Sequence, residues 1–400
     1  MKLDDNGAAL SNTSARHVLT AGRVLVVGAG PVGLVAALRL AQLGVAVTVL
    51  ERRPNLSAAS RASTLHSPTL EAFATLGIID FALAHGHTVE RIHYYAQGAL
   101  VADFDLGLLA SDTPYPHRLH LEQSEIARRL QARLAEHAHA EMMFDAEVVD
   151  MTQDNTGVAA VLRNGQVIVG AYLLAADGAR SQVRTALGIA FDGEDYASRV
   201  LRVMTPHNLA HDIVPGCASV AYLFDGADSC SLLRMPDLWR IIFRVGAEES
   251  DEQALDPVGI RQKLARFLPG GAELPIASTD IYGVSRRVAF TFRHGRVLIA
   301  GDAAHVTNTR GGMNMNAGIH DAMAAAEALA AGTEVALSFY AHARHAMATE
   351  KLIPRTDRTV AGGTAWLERV RATAGDPAAA RTFLLGTSML DMTTAIPVPA

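Results

Sequence analysis

Gly28-Ala29-Gly30-Pro31-Val32-Gly33 reads G-x-G-x-x-G, and an acid, Glu51, follows 18 residues after the last glycine. That spacing suits the binding of a pyrophosphate. Glycines allow a tight turn that brings backbone against the ligand, and a helix starting there offers unpaired N–H groups and a partial positive charge. An acid at the end of the next strand accepts a hydrogen bond from an adenosine ribose hydroxyl. A carboxylate in that place favours an unphosphorylated ribose, so NAD or FAD over NADP. Two later clusters put more polar groups on turns. Asp177-Gly178 precedes Ser181 and Arg184, which set a hydroxyl and a cation on one face of a first helical turn. Gly301-Asp302 ends an apolar run, and Gly311-Gly312 permits close backbone approach to a flat ligand.

The elements around these residues must hold them in place. Val24 to Val27 and Val45 to Leu50 are short apolar runs of the kind that form buried parallel strands. Between them an Ala/Leu-rich stretch from about Pro31 to Leu43 predicts a helix, with Gly44 as its stop. Strand, helix, strand and terminal acid fall in the order a dinucleotide site requires, and nothing else in the chain repeats that order. Leu173 to Ala176 and Arg296 to Ala300 read as two more buried strands, each delivering an acid, Asp177 or Asp302, to its end. An Ala-rich helix is expected from about Asn316 to Ala331, its N-terminal N–H groups placed to stabilise negative charge.

The 400-residue chain is 50% hydrophobic and 19% charged, with a net charge of −6. These values fit a soluble globular protein and exclude a disordered or collagen-like chain. The acidic balance argues against a nucleic-acid partner. The only cysteines, Cys217 and Cys230, cannot build a disulfide framework. They read as small buried hydrophobes in a reduced compartment, so a cytoplasmic location is expected. Residues 1–21 lack an apolar signal segment and read as a flexible polar extension. Glycines, Arg39 and Gln42 interrupt the longest apolar stretch, so no membrane span is expected. His137-Ala138-His139 has no metal-ligand company, and no metal site is expected.

Taken in order, the three motifs make the chain resemble the single-component (group A) flavoprotein monooxygenases, of the para-hydroxybenzoate hydroxylase and phenol hydroxylase kind, from about Arg23 to Arg344. The resemblance implies an α/β fold: a Rossmann-like FAD-binding domain with an inserted, mainly antiparallel β-sheet substrate domain and C-terminal helices. The implied FAD domain takes residues 22–90, 117–190 and 284–333, the substrate domain 91–116 and 191–283, and a helical region 334–400. It also implies FAD as cofactor, NADH or NADPH and O2 as co-substrates, and hydroxylation of a phenol-like or heteroaromatic small molecule through a flavin C4a-hydroperoxide. In such chemistry the cofactor reacts while the protein positions and excludes water; no catalytic side chain is assigned.

Residue by residue, the resemblance places Gly28, Gly30 and Gly33 at the FAD pyrophosphate and Glu51 at the adenosine ribose, with Pro31, Val32 and Arg52 also counted among the cofactor-binding residues. Arg61 matches an arginine beside the pyrophosphate, and Gln123 a glutamine near the ribityl chain. Gly301 and Asp302 match the ribityl or pyrophosphate side, while Gly312, Met315 and Asn316 match backbone under the flavin pyrimidine edge. Asp177 matches a group tied to both FAD and NAD(P)H, and reads equally well as a turn former. Many members carry proline where this chain has Thr309 and glycine where it has Asn314, so Thr309 and Arg310 mark either a different substrate or a rearranged loop.

Ser219 to Phe224, Ser229 to Met235 and Leu238 to Val245 read as antiparallel strands, with turns at Asp225-Gly226 and Pro236-Asp237. Trp239, Ile241, Phe243 and Val245 share one face; Arg240, Ile242 and Arg244 share the other. The apolar face reads as core. The mixed face is either solvated or lines a pocket for a polar aromatic, and Tyr222, Arg234 and Ile242 join Thr309 and Arg310 as substrate candidates. Beyond Glu334 the pattern is helical to about Ala374, with Trp366, Leu367 and Val370 as a stripe suited to core or to a homodimer contact. A flavin halogenase would need a catalytic lysine and W-x-W-x-I-P, yet the only lysines are Lys2, Lys263 and Lys351. Reduction or desaturation without oxygen insertion is the alternative chemistry, and an FAD-binding regulator the non-enzymatic one.

Overall fold

The computed structural model describes residues 22–58, 62–226, 228–358 and 364–393. The extension 1–21 and the candidate Arg61 lie outside the described residues. The first sheet has six strands in the order Arg293–His294, Val297–Ile299, Tyr172–Ala175, Val24–Val27, Val47–Leu50 and Ala140–Met143. All but the Arg293–His294 edge strand run parallel. Every residue of Val24–Val27 is buried, which is why that strand is a continuous apolar run rather than an alternating one. The helix Pro31–Gln42 opens with proline at its first position, where the missing N–H costs nothing.

The long helix Met313–Ala331 packs on Pro31–Gln42. Their closeness depends on glycine: a Cβ on Gly318 would stand 2.9 Å from the Gly301 Cα and 2.9 Å from Val32 Cγ2. This helix begins three residues before the expected Asn316, because Gly312 takes a left-handed conformation (φ 64) as its cap.

The second sheet has eight strands in the order His305–Val306, Ser278–Ala289, Phe191–Thr205, Trp239–Val245, Asp228–Arg234, Val220–Asp225, Arg91–Ala96 and Ala99–Asp105. Its pairings are antiparallel except that Val220–Asp225 runs parallel to Arg91–Ala96. Trp239, Ile241, Phe243 and Val245 pack into a core with Ile260 and Leu264 of the helix Pro257–Phe267. The sheet crosses the expected domain limits. Ser278–Ala289 runs unbroken through 283/284, and His305–Val306 adds an edge from the flavin-side segment.

The C-terminal helices include Glu334–Ala346, Thr364–Ala374 and Pro377–Thr387. The last lies beyond the expected helical limit at Ala374. Its signal was present: Pro377 sits at the first position, and the Asp376 carboxylate accepts from the Ala378 and Ala379 N–H groups. Trp366 and Val370 take the core half of the expectation, packing in one hydrophobic cluster with Leu384. The Trp366 ring lies 5.6 Å from Tyr94 and 5.3 Å from Phe224, on the second sheet. Among the described residues no helix is long and apolar enough to cross a membrane, and Cys217 and Cys230 are buried, unpaired thiols.

Candidate functional site

A cavity of about 1330 Å³ is lined from both sheets and from the C-terminal helices. Pockets for single small molecules run to roughly 1000 Å³, so this one has room for a dinucleotide and a small molecule together. At one end lie Gly28, Gly30, Pro31, Val32, Glu51 and Arg52. The three glycines of the turn differ in what they do. A Cβ on Gly28 (φ 101) would stand 2.5 Å from the Ala176 carbonyl oxygen, and one on Gly33 would press into the Gly28 carbonyl at well under 3.0 Å. A Cβ on Gly30 meets nothing within 4 Å. Gly28 and Gly33 therefore fold the turn, and Gly30 keeps open the space above the helix N-terminus. That is the fit expected for a pyrophosphate. Gly33 is accordingly packed beneath the turn and does not itself line the cavity.

Glu51 is buried, and its carboxylate is already engaged: Oε2 accepts from the Ala29 N–H at 2.8 Å and Oε1 from the Arg53 N–H at 3.1 Å. It braces the turn as well as facing the cavity. Asp177 also lines the cavity, while its Oδ2 accepts from the Gln182 N–H at 2.8 Å and caps the following helix. Burial pushes its pKa up, against hydrogen bonds from Ser181 and backbone N–H groups. Ser181 and Arg184 turn away from the ligand space. Ser181 caps Arg184, and the Arg184 guanidinium donates to the carbonyls of Ala303 (2.9 Å) and Ala179 (3.0 Å), tying two of the motifs together.

Between the two ends of the cavity runs the loop from Thr307 to Gly312, and nearly every residue of it is held from a different element. Thr307 Oγ1 donates to Thr356 Oγ1 at 2.8 Å, and Asn308 Nδ2 to the Tyr196 hydroxyl at 3.3 Å. Arg244 Nη2 donates to Thr309 Oγ1 at 3.1 Å. The His66 ring donates from Nε2 to the Gly311 carbonyl at 2.8 Å, and burial, then Arg118, keeps that imidazole neutral. Asn316 Nδ2 donates to the Gly312 and Thr64 carbonyls at 2.7 and 2.8 Å, and its Oδ1 accepts from the His66 N–H at 2.9 Å. The Asn316 side chain is thus consumed in pinning the loop and does not reach the cavity. Met315, Gly312 and Asp302 do line it, with Asp302 accepting from Asn314 at 2.8 Å. Gly301 does not; it is wedged between Val32 and Gly318. Beneath the loop the buried Asp321 accepts from Arg344 Nε (2.6 Å), His305 Nε2 (2.9 Å) and the Gly301 N–H (3.1 Å).

Tyr222, Ile242, Thr309 and Arg310 stand around the other end, and Gln123 also lines the cavity. Tyr94 and Tyr222 stack at 5.1 Å, and Trp366 closes that aromatic wall. Arg234 is the candidate that fails to arrive. It lies off the cavity with its guanidinium 5.8 Å from the Trp239 ring, because its place on Asp228–Arg234 points it to the far face. Arg240 and Arg244 do arrive, from alternate positions of Trp239–Val245. Arg240 is neutralised by Glu122 at 2.6 Å and bonded to Ser63 Oγ at 2.7 Å. The period-two alternation could have singled out Arg244. No local signal could have found His66, which meets Gly311 across 245 residues.

A parallel dinucleotide sheet, a second sheet roofing one shared cavity, and a glycine-rich loop between the two define a flavoprotein of the aromatic hydroxylase type. The comparisons agree. A family profile described as an FAD binding domain matches residues 22–352. Para-nitrophenol 4-monooxygenase of Pseudomonas sp. (strain WBC-3) is 33% identical over 328 residues, covering 77% of each chain. 6-Hydroxy-3-succinoylpyridine 3-monooxygenase HspB of Pseudomonas putida (strain DSM 28022 / S16) is 32% identical, covering 76% of this chain and 77% of that one. The crystal structure of p-nitrophenol 4-monooxygenase PnpA from Pseudomonas putida DLL-E4 superposes with a TM-score of 0.85 at 28% identity, over 94% of this chain and 99% of that one. This chain belongs to the FAD-binding-domain family of group A flavoprotein monooxygenases.

Proposed function

We propose that this enzyme hydroxylates a phenol-like or heteroaromatic small molecule in the cytoplasm, consuming NADH or NADPH and O2. The reaction is Ar–H + O2 + NAD(P)H + H⁺ → Ar–OH + H2O + NAD(P)⁺. The observation that carries this reading is one shared cavity, with a dinucleotide cradle at one end and an aromatic wall with arginines at the other. The relatives named for nitrophenol and pyridine oxygenation support the substrate class.

FAD, when bound, supplies electron transfer and the activation of O2. The chain supplies the rest. The turn at Gly28–Gly33 and the N-terminus of Pro31–Gln42 hold the pyrophosphate, and Glu51 keeps that turn in shape. The loop Thr307–Gly312, clamped by His66, Asn316, Tyr196 and Arg244, sets where the reacting faces meet. Tyr94, Tyr222 and Trp366 orient the ring and keep water from it, which protects a reactive oxidant from hydrolysis.

The test is a screen of phenols and hydroxypyridines for stimulated NAD(P)H oxidation by the FAD-loaded protein, followed by product mass under labelled O2. A product with one labelled oxygen is expected. Substrate oxidised or reduced with no label gained would replace hydroxylation with the reductase or desaturase chemistry.

A further inference from the structure

Four arginines from two neighbouring strands of the second sheet and from the loop meet the same cavity: Arg202, Arg240, Arg244 and Arg310. Their surroundings differ. Arg202 pairs with Asp280, and Arg240 with Glu122. Among the described residues Arg244 has no carboxylate at ion-pair distance; its hydrogen bond goes to a neutral hydroxyl, Thr309 Oγ1, at 3.1 Å. Burial, then the charge of Arg310, pushes its pKa down to about 10, with Tyr282 and Tyr196 acting weakly the other way. Arginine still carries its charge near neutral pH. A half-buried cation that lines the cavity beside a second cation, with a neutral hydroxyl as its hydrogen-bond acceptor, has charge and donors to offer an incoming anion.

We infer that Arg244 is the specificity-determining residue for an anionic oxygen on the aromatic substrate, taken at the loop end of the cavity next to Thr309. The inference rests on the hydroxylase reading and adds to it the charge of the substrate. The geometry supports it in three ways. Arg244 reaches the cavity from the same strand face as Ile242, so an anion on Arg244 sets the ring beside an apolar side chain. Its guanidinium spends one donor on Thr309 and has others left for a two-oxygen group. Thr309 acts as the placeholder acceptor and joins the anion site to the loop. The anionic oxygen could belong to a phenolate or to a ring carboxylate, which share this chemistry.

The experiment is calorimetric titration of the FAD-loaded wild type, R244Q and R244K with matched neutral and anionic ligands. 4-Hydroxybenzoate against 4-hydroxybenzamide tests the carboxylate. 4-Nitrophenol against 4-nitroanisole, at a pH where the phenol is ionised, tests the phenolate. Wild type is expected to prefer the anion of at least one pair by on the order of 10- to 100-fold, the range of a hydrogen bond to a charged group. R244Q is expected to lose that preference, its ratio of anion to neutral affinity falling to near one, and R244K to recover part of it. Equal binding of both members of both pairs by wild type overturns the inference, as does an anion preference that survives in R244Q. Binding is read without turnover. Anion selectivity with no oxygen insertion therefore sinks the hydroxylase reading alone, and oxygen insertion with no role for Arg244 sinks this inference alone.

Discussion

Replacing Gly30 and Gly33 by alanine, one at a time, separates a glycine kept for the ligand from one kept for the fold. Gly30 sits at φ −72 and ψ 173, an extended conformation open to any residue, and its Cβ would meet no protein atom within 4 Å. Alanine there costs a fraction of a kcal/mol as a poorer helix cap and regains about 0.4–1 kcal/mol from the unfolded chain, so the ligand-free protein should melt within a few degrees of wild type. The new methyl group projects into the space assigned to the pyrophosphate. Crowding of that size costs about 1–3 kcal/mol, which is roughly a 5- to 150-fold loss of FAD affinity. At Gly33 the balance reverses. Its Cβ would collide with the backbone oxygen of Gly28, which cannot swing away as a side chain could, so the helix must shift from the strand. The cost falls on folding, at several kcal/mol. Melting of each variant with and without FAD, with FAD binding titrated by quenching of its fluorescence, gives both quantities. A G30A protein that binds FAD as tightly as wild type would falsify the placement of the pyrophosphate on this turn.

Three further substitutions, at Asp321, His120 and Trp366, have definite expected outcomes. Asp321→Asn removes the buried carboxylate that Arg344 Nε bonds at 2.6 Å, so denaturant unfolding should show a loss of about 3–5 kcal/mol. Asp321 also sets an acid limit. Burial alone would raise its pKa, but Arg344 and then His305 outweigh burial and hold it well below the usual carboxylate range. Its stabilisation is therefore complete above the unfolded value near 3.9 and is lost as pH falls below that, a component that D321N should remove from acid unfolding curves. His120 and His320 behave as bases held neutral: burial first, then neighbouring arginines, pushes each down to about 3. The unfolded chain binds their protons below about pH 6.5, so each should cost about 1.4 kcal/mol per pH unit of acidification, and His120→Asn should flatten urea-measured stability between pH 7.5 and 5.5. Trp366→Ala should leave FAD binding intact and weaken aromatic ligands about tenfold, since its ring closes the wall formed with Tyr94 and Phe224; unchanged ligand affinity would remove the C-terminal helices from the substrate site.

Where the information lay in short stretches of chain, it could be read directly. The strand Val24–Val27, the glycine turn and the helix Pro31–Gln42 are set by contacts only a few residues apart, so pattern alone located them. The three strands between Val220 and Val245 were equally legible, because period-two alternation and turn residues are local properties. Asp376-Pro377 marked one more helix that a weak apolar pattern concealed. The roles of Asn316 and Glu51 were half visible. Their places beside the cofactor space follow from sequence order, but their side-chain bonds to Thr64, His66, Ala29 and Arg53 follow from folding.

The sequence by itself determined the glycine turn with its strand and helix, the mixed and apolar faces of the second sheet, and the family. Each of these rests on residue type at fixed spacing, and backbone geometry turns spacing into position. Only the tertiary structure decided which groups meet across long separations. It put His66 on Gly311, Trp366 on Tyr94 and Arg244 on Thr309, and it turned Arg234 away from the cavity. It also decided which arginines are neutralised. Charge balance in a buried site depends on neighbours from other elements, and Glu122 and Asp280 reach Arg240 and Arg202 but leave Arg244 facing the cavity.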